Sequence, residues 1–107
     1  MTKKYVGNNE NIDDKTIITL AFIKMAEDIT DSMVDNKLLK YGGILKTAER
    51  LEKQGLLKSG NRYNGKVLEN KSYMTTAQGL KILNDYIKIH KGISLADIAE
   101  EVAYHPV

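Results

Sequence analysis

The sequence predicts a mainly α-helical fold with one small β-hairpin, an architecture of the α+β class. One basis for this prediction is the helical spacing of apolar residues from Ile44 to Leu51. A second is Asn64-Gly65, a dipeptide typical of hairpin turns, and a third is Thr76, which can cap a further helix. The 107 residues are expected to form one domain with a small core.

Three regions are expected along the chain. Residues 1–12 are polar, rich in asparagine and without periodicity, which predicts a flexible N-terminal arm. Residues 13–75 contain the predicted helices and hairpin of the core. Residues 76–107 contain two C-terminal helices that are expected to mediate dimerisation.

The first helix is predicted to begin near Asp13 or Asp14, either of which can act as its N-cap. Apolar residues recur at helical spacing from Ile17 to Ile29, so this helix should lie in the core. The residues that follow, Thr30-Asp31-Ser32, have the chemistry of a turn.

A second, shorter helix is predicted to include the apolar residues Met33, Val34, Leu38 and Leu39. It should stop at Tyr41-Gly42-Gly43, because glycine disfavours a helix and adopts the positive φ of a tight turn. A third helix is expected directly after this turn.

The third helix is predicted to have one apolar face and one basic face. Two sets of residues repeat at i, i+4 and i+7: an apolar stripe of Ile44, Ala48 and Leu51, and a basic stripe of Lys46, Arg50 and Lys53. At about 100° per residue, the two stripes lie roughly on opposite sides of the helix. A helix held to the core by one stripe therefore presents the other to a partner.

Positive charge is concentrated in the middle of the chain. From Lys37 to Lys71 there are nine basic and three acidic residues, a net charge of +6 within a chain of net charge +2. Such a segment is typical of a surface that binds phosphates. The alternative is a lysine-rich face that is only solvated.

A hairpin is predicted after the third helix. Gly55 should end that helix in the left-handed conformation, and Asn64-Gly65 should be the central residues of a type I′ turn. A two-residue turn at this position places Tyr63 opposite Lys66 and Lys58 opposite Lys71. The tip then projects from the core, either towards a partner or merely into solvent.

Two motifs carry a resemblance to a known superfamily. They are Leu51-Glu52-Lys53-Gln54-Gly55-Leu56-Leu57 before the hairpin and Tyr73-Met74-Thr75-Thr76-Ala77-Gln78-Gly79 after it. Their order resembles the PadR-like and MarR-like winged helix-turn-helix regulators, over about Leu38 to Leu83. Thr75 departs from the pattern, because the family usually has leucine there. The resemblance implies a homodimer that binds double-stranded DNA, without catalysis.

Within this interpretation, the third helix and the hairpin contact DNA. The candidate DNA-binding residues are Lys46, Thr47, Arg50, Lys53, Asn61, Arg62, Asn64 and Lys66. Arg50 is the main candidate for a base, because its planar guanidinium can bind guanine through two hydrogen bonds. Arg62 is the candidate for a minor-groove or backbone contact. The alternative for Arg50 is an ion pair with Glu49, Glu52 or another surface carboxylate.

The C-terminal helices are more apolar than packing on a small domain requires. Thr76 should cap the first of them, and Ser94 with Asp97 should open the second. One apolar stripe is therefore expected to meet another subunit. The candidate dimerisation residues are Ile82, Tyr86, Ile89, Leu95, Ile98 and Val102.

An enzyme is not expected. The chain has no cysteine and two histidines, His90 and His105, without the spacing of metal ligands, so neither a metal nor a cofactor is predicted. The carboxylates of Glu27, Asp28, Asp31 and Asp35 are expected to be ordinary partners of helix dipoles. Without a long apolar run or a signal peptide, no membrane contact is expected, and the compartment should be cytoplasmic.

Two classes of function remain. The first is a sequence-specific DNA-binding dimer, either a repressor that acts by operator occupancy or a plasmid or phage segregation or replication adaptor on DNA repeats. The second is a winged-helix module that binds a protein. The sequence gives no outline of a pocket for a small-molecule effector.

Overall fold

The computed structural model describes residues 13–103 and forms five helices and a three-stranded antiparallel sheet within that range. The elements, in chain order, are α1 (Asp14–Thr30), β1 (Val34–Asp35), α2 (Asn36–Tyr41), α3 (Leu45–Lys53), β2 (Leu57–Asn64), β3 (Val67–Thr75), α4 (Ala77–Ile89) and α5 (Leu95–Ala103). The predicted α+β class is confirmed. The predicted arm, residues 1–12, and His105 lie outside the described residues.

Helix α1 forms the centre of the core. The carboxylate of Asp13 caps it by accepting a hydrogen bond from the Thr16 amide at 2.9 Å, as predicted. Helix α5 packs along α1, and α1 also contacts α3, α4 and β3. The buried side chains that α1 contributes are Thr16, Ile17, Thr19, Leu20, Ala21 and Ile23.

The segment after α1 corrects the prediction of a second helix that includes Met33 and Val34. Val34 and Asp35 form the short strand β1, in which Val34 lies opposite Tyr73 of β3. Helix α2 begins only at Asn36, where the Asp35 carboxylate accepts a hydrogen bond from the Lys37 amide at 2.7 Å. The extended backbone is favoured here because the edge of β3 offers hydrogen-bond partners, and local sequence does not reveal that edge.

The two glycines after α2 differ in their roles. Gly43 adopts a positive φ of 74°, which permits the tight turn into α3, whereas Gly42 has an ordinary φ of −78°. At Gly42, a Cβ atom would lie 2.7 Å from Cγ1 of Val102. Gly42 therefore allows the close approach of α5, and Gly43 alone requires the conformational freedom that the sequence predicted for both.

Helix α3 follows the predicted pattern. Its apolar stripe, Ile44, Ala48 and Leu51, is buried. The helix ends at Lys53 with Gln54 as its C-cap, and Gly55 follows with a positive φ of 80°, which confirms the left-handed conformation expected at this glycine.

Strands β2 and β3 form a hairpin whose register differs from the prediction. The turn residues are Gly65 and Lys66, and Asn64 is paired with Val67. A glycine with φ of 65° at the first turn position is typical of a type II′ turn, which replaces the predicted type I′ turn. Lys71 consequently faces Asn61, and not Lys58.

A β-bulge adds to this shift of register. Tyr63 lies opposite Leu68 but Arg62 lies opposite Asn70, so Glu69 is an extra residue in β3. The resulting register places Leu57, Tyr73 and Thr75 at the base of the hairpin in the core, where all three are buried. Burial of that base, together with the bulge, decides the register.

The C-terminal helices begin as predicted. The Thr76 hydroxyl caps α4 by accepting a hydrogen bond from the Gly79 amide at 3.1 Å. Ser94 and Asp97 form reciprocal hydrogen bonds at the start of α5, at 2.9 Å and 3.1 Å. None of the described helices combines the length and apolarity needed to cross a membrane.

The predicted dimerisation residues are largely used inside the chain. Ile98 and Val102 of α5 are 4% and 7% exposed because α5 packs against α1, so these two side chains pack inside the chain, and their role at a subunit interface stays a prediction. Ile82, Tyr86 and Leu95 are partly buried against the same core. Of the six, Ile89 alone has an exposed side chain, at 51%.

Candidate functional site

The basic stripe of α3 lies on the outside of the protein. Lys46, Arg50 and Lys53 are exposed on the side opposite the buried apolar stripe, as predicted. Within residues 13–103, Lys46 and Lys53 make no ion pair with a carboxylate. These two ammonium groups are therefore available to an external anion.

Arg50 is attached to the beginning of α1. Its guanidinium Nη2 lies 3.3 Å from Oγ1 of Thr16 and 3.9 Å from the carboxylate Oδ1 of Asp13. Burial alone would raise the pKa of Asp13, but hydrogen bonds from Thr16 and the charge of Arg50 lower it overall. The side chain of Arg50 is still 43% exposed, so this pair is a surface interaction that another anion can displace.

Thr47 does not belong to the exposed surface. Its side chain is 8% exposed, although it lies next to Lys46 in the sequence and one helical turn before Arg50, both of which are exposed. On a helix, residue 47 lies about 100° from residue 46, which turns it towards the core. The predicted contact of Thr47 with a base stays a prediction, and it would require this buried side chain to turn outwards.

Glu52 joins α3 to the base of the hairpin. Its carboxylate accepts a hydrogen bond from the Ser59 hydroxyl at 2.5 Å and lies 3.1 Å from the ammonium of Lys71. The hydrogen bond from Ser59 is the larger cause, and the contact with Lys71 the smaller one, of a lowered pKa at Glu52. The hydrogen bond to Glu52 in turn raises the pKa of Lys71. Lys71 also lies 5.4 Å from the ring centroid of Tyr73. The incorrect register concealed this connection from the sequence analysis.

Two further carboxylates fix the sheet to the helices. Glu27 of α1 accepts hydrogen bonds from the Thr75 amide at 2.7 Å and from its hydroxyl at 2.9 Å. Asp35 accepts a hydrogen bond from the side-chain amide of Asn70 at 2.5 Å. Glu27 thus fixes the end of β3 to α1 through hydrogen bonds, and it is not the helix-dipole partner that the sequence predicted.

The tip of the hairpin is exposed on all sides. The predicted contact residues Asn61, Arg62, Asn64 and Lys66 all lie there in solvent. Nε of Arg62 is 3.6 Å from the Glu69 carboxylate, with 69% of the arginine side chain exposed. Ion pairs of this kind contribute little, at most about 1 kcal/mol. The cations of the tip are therefore free to exchange partners.

Sequence reasoning missed three apolar side chains at the same tip. Tyr63, Val67 and Leu68 are 57%, 69% and 50% exposed. The signal was present, because all three flank the predicted turn at positions too far from the core to be buried by it. Exposed apolar groups close together are typical of a contact surface.

An apolar groove lies between α1, α2 and α5, away from α3 and the hairpin tip. Its volume is about 560 Å³, and its lining includes Phe22, Met25, Leu38, Tyr41, Ala96 and Ala99. Tyr41 is 74% exposed and Leu38 is 44% exposed. This groove is the second apolar surface of the described chain.

No cluster of three or more histidine or carboxylate side chains with the geometry of a metal site occurs within residues 13–103. Comparisons of the chain with protein families, with curated proteins and with solved structures give no match. The functional assignment therefore rests on the chain's own surfaces: the basic stripe of α3, the hairpin fixed to it through Glu52, and the apolar groove.

Proposed function

We propose that this chain is a winged helix-turn-helix protein that binds double-stranded DNA. In this proposal α2 and α3 form the helix-turn-helix, α3 enters the major groove, and the β2–β3 hairpin is the wing. The observation that carries it is the exposed basic stripe of α3, beside a cationic hairpin that Glu52, Ser59 and Lys71 fix to the same helix. A five-helix fold with a three-stranded antiparallel sheet is compatible with such a domain.

The cations of this surface divide into two groups by their present partners. Lys46 and Lys53 on α3, with Lys58 and Lys66 on the wing, are exposed and make no ion pair within residues 13–103. These four lysines bind phosphates in the proposed complex and supply affinity without sequence preference.

Arg50 supplies the base contact in this proposal. Its guanidinium leaves Asp13 and Thr16 when a guanine edge in the major groove offers two acceptors in its place. Thr47 has no part in it, because its side chain faces the core.

In this proposal the protein is a cytoplasmic homodimer. It acts as a repressor by occupying its operator. Since Ile98 and Val102 are buried within the chain, the apolar groove between α1, α2 and α5 is the better surface for a second copy. Leu38 and Tyr41 on the rim of this groove are 44% and 74% exposed, so a second copy would bury them.

Selection of genomic DNA fragments with the purified protein, followed by a salt titration, tests the proposal. Log affinity should fall linearly with log salt, by about 0.9 per neutralised phosphate. Replacing Lys46 and Lys53 together by alanine should reduce that slope by about 1.8. Lys88→Ala on α4 is the matched control and should leave the slope unchanged.

The pattern of recovered sites separates the two DNA-binding roles. Half-sites about one helical turn apart indicate a simple dimer on a palindrome, whereas long tandem arrays indicate the segregation or replication adaptor. Light scattering on the same preparation gives the number of copies. Failure to recover DNA, or an affinity independent of salt, contradicts the proposal and favours a module that binds a protein.

A further inference from the structure

The three exposed apolar residues at the hairpin tip lie on two different faces. Tyr63 and Leu68 are cross-strand partners, and Asn64 and Val67 form the next pair. Cross-strand partners share a face of a sheet, and successive residues point to opposite faces. Tyr63 and Leu68 therefore form an apolar pair on one face, and Val67 lies on the other.

The apolar pair lies on the face that looks towards α3. The extra residue of the bulge is in β3, so the alternation along β2 is uninterrupted and Tyr63 shares its face with Ser59. Ser59 is the residue whose hydroxyl binds Glu52 of α3. The pair is thus at the far end of the surface that begins at the basic helix.

The hairpin that carries this apolar pair is cationic. The hairpin carries Lys58, Arg62, Lys66 and Lys71 against one acidic residue, Glu69. A partner that fits must offer negative charge at its edges and apolar surface between them. Duplex DNA has this arrangement, because its phosphates flank the stacked faces of the bases.

We propose that Tyr63 and Leu68 form a wedge that enters the minor groove beside α3, partly unstacks one base step and bends the duplex. This inference rests on the proposed function, since α3 must be bound in the adjacent major groove. Lys66, in the turn next to the pair, holds a phosphate beside the opened step. Flexible pyrimidine–purine steps are the preferred position for the wedge, because they unstack at the least cost.

Energy transfer between dyes at the two ends of a duplex recovered by the genomic selection tests this wedge. The wild-type protein should shorten the end-to-end distance on binding. Tyr63→Ser and Leu68→Ser should each abolish the shortening and weaken binding by about tenfold. Tyr63→Phe should preserve the bend, because the apolar body of the ring and not its hydroxyl fills the opened step.

Val67→Ser is the matched control. Val67 is as exposed and as apolar as the pair but lies on the opposite face, so this variant should keep both the affinity and the bend. Because the tip is exposed, all four variants should retain the wild-type thermal unfolding temperature. A serine variant that unfolds earlier is replaced by the alanine variant at the same position.

The outcomes separate the wedge from the proposed function. Binding without a bend overturns the wedge and leaves DNA binding intact. Absence of binding overturns both. A bend that survives Tyr63→Ser and Leu68→Ser, or that Val67→Ser abolishes equally, overturns the wedge and assigns the apolar tip to another contact, such as a protein partner.

Discussion

Arg50 is held by the N-terminus of α1 and at the same time reaches solvent. Its guanidinium has a hydroxyl acceptor at 3.3 Å and a carboxylate at 3.9 Å, both from α1. Neither contact is buried enough to be strong, since the arginine side chain is 43% exposed. Helix α1 therefore positions the guanidinium of Arg50 but leaves it accessible to solvent. Such an arrangement suits a residue that changes partner on binding.

Arg50→Ala should weaken binding to the selected duplex by about 1–3 kcal/mol and relax preference at one base position. Arg50→Lys should preserve the salt dependence but lose that preference, because a lysine ammonium lacks the planar fork of donors. Fluorescence anisotropy on the selected duplex and its single-base variants measures both effects. Unchanged affinity in Arg50→Ala would remove this residue from the interface.

Asp13→Asn is the control that isolates the ion pair. Asparagine caps a helix about as well as aspartate does, so α1 should remain intact. Removing the carboxylate releases Arg50 and takes one negative charge away from the proposed phosphate surface. Affinity for DNA should therefore rise or stay constant, and a fall would contradict the proposed exchange of partners.

At the scale of the elements, α3 and the hairpin are joined by polar contacts in addition to the shared core. The Glu52 carboxylate binds the Ser59 hydroxyl of β2 and the Lys71 ammonium of β3, so one carboxylate fixes the direction of the hairpin relative to the helix. The second fixed point is Glu27, which binds the end of β3 from α1. A helix and a hairpin that must contact one duplex together require such fixed points.

Glu52→Gln should destabilise the fold at neutral pH but not in acid. The folded protein lowers the pKa of Glu52 below its usual value of 4.5, so the carboxylate contributes stability above that pH. As pH falls through the lowered pKa the carboxylate is protonated and the contribution is lost. Since both side chains are about one-third exposed, the difference at neutral pH should be at most about 1 kcal/mol.

Urea unfolding at neutral pH and at a pH well below 4.5 measures this difference. Asp85→Asn is the control, because it removes the exposed pair between Lys81 and Asp85 within α4. That variant should change stability by only a few tenths of a kcal/mol and should leave the hairpin contact intact. An equal loss for Glu52→Gln at both pH values would show that the charge of Glu52 is not the cause.

At the scale of the whole molecule, the first and last described helices pack against each other. Helix α5 contributes Ile98, Ala99 and Val102 to the core, and Gly42 allows the close approach of Val102. The C-terminal helix therefore completes the core of the domain. Exposed apolar surface lies instead on α2, at Leu38 and Tyr41.

Ile98→Ala should lower the free energy of unfolding by about 2–5 kcal/mol, because it leaves a cavity between α5 and α1. Ile89→Ala, the same change at an exposed position, should lower it by less than about 1 kcal/mol. Denaturant unfolding measures both. A small loss for Ile98→Ala would mean that α5 is not anchored to α1 in this way.

Local signals in the sequence located several helix ends, with the start of α2 as an exception. Asp13, Thr76 and Ser94 cap the helices that they were expected to cap, and Gly55 ends α3 in the left-handed conformation. These features depend on groups within a few residues of each other. The faces of α3 were equally predictable except for Thr47, which lies at the border between the stripes.

The sequence by itself determined the order of helices and hairpin, the exposed basic stripe of α3 and the charge of the hairpin, because helical spacing and capping act over one or two turns. The tertiary structure alone decided the pairing of β1 with β3, the register of the hairpin and the packing of α5 on α1. These depend on which surfaces distant segments offer each other. The same long-range contacts place Arg50 beside Asp13 and Glu52 beside Lys71.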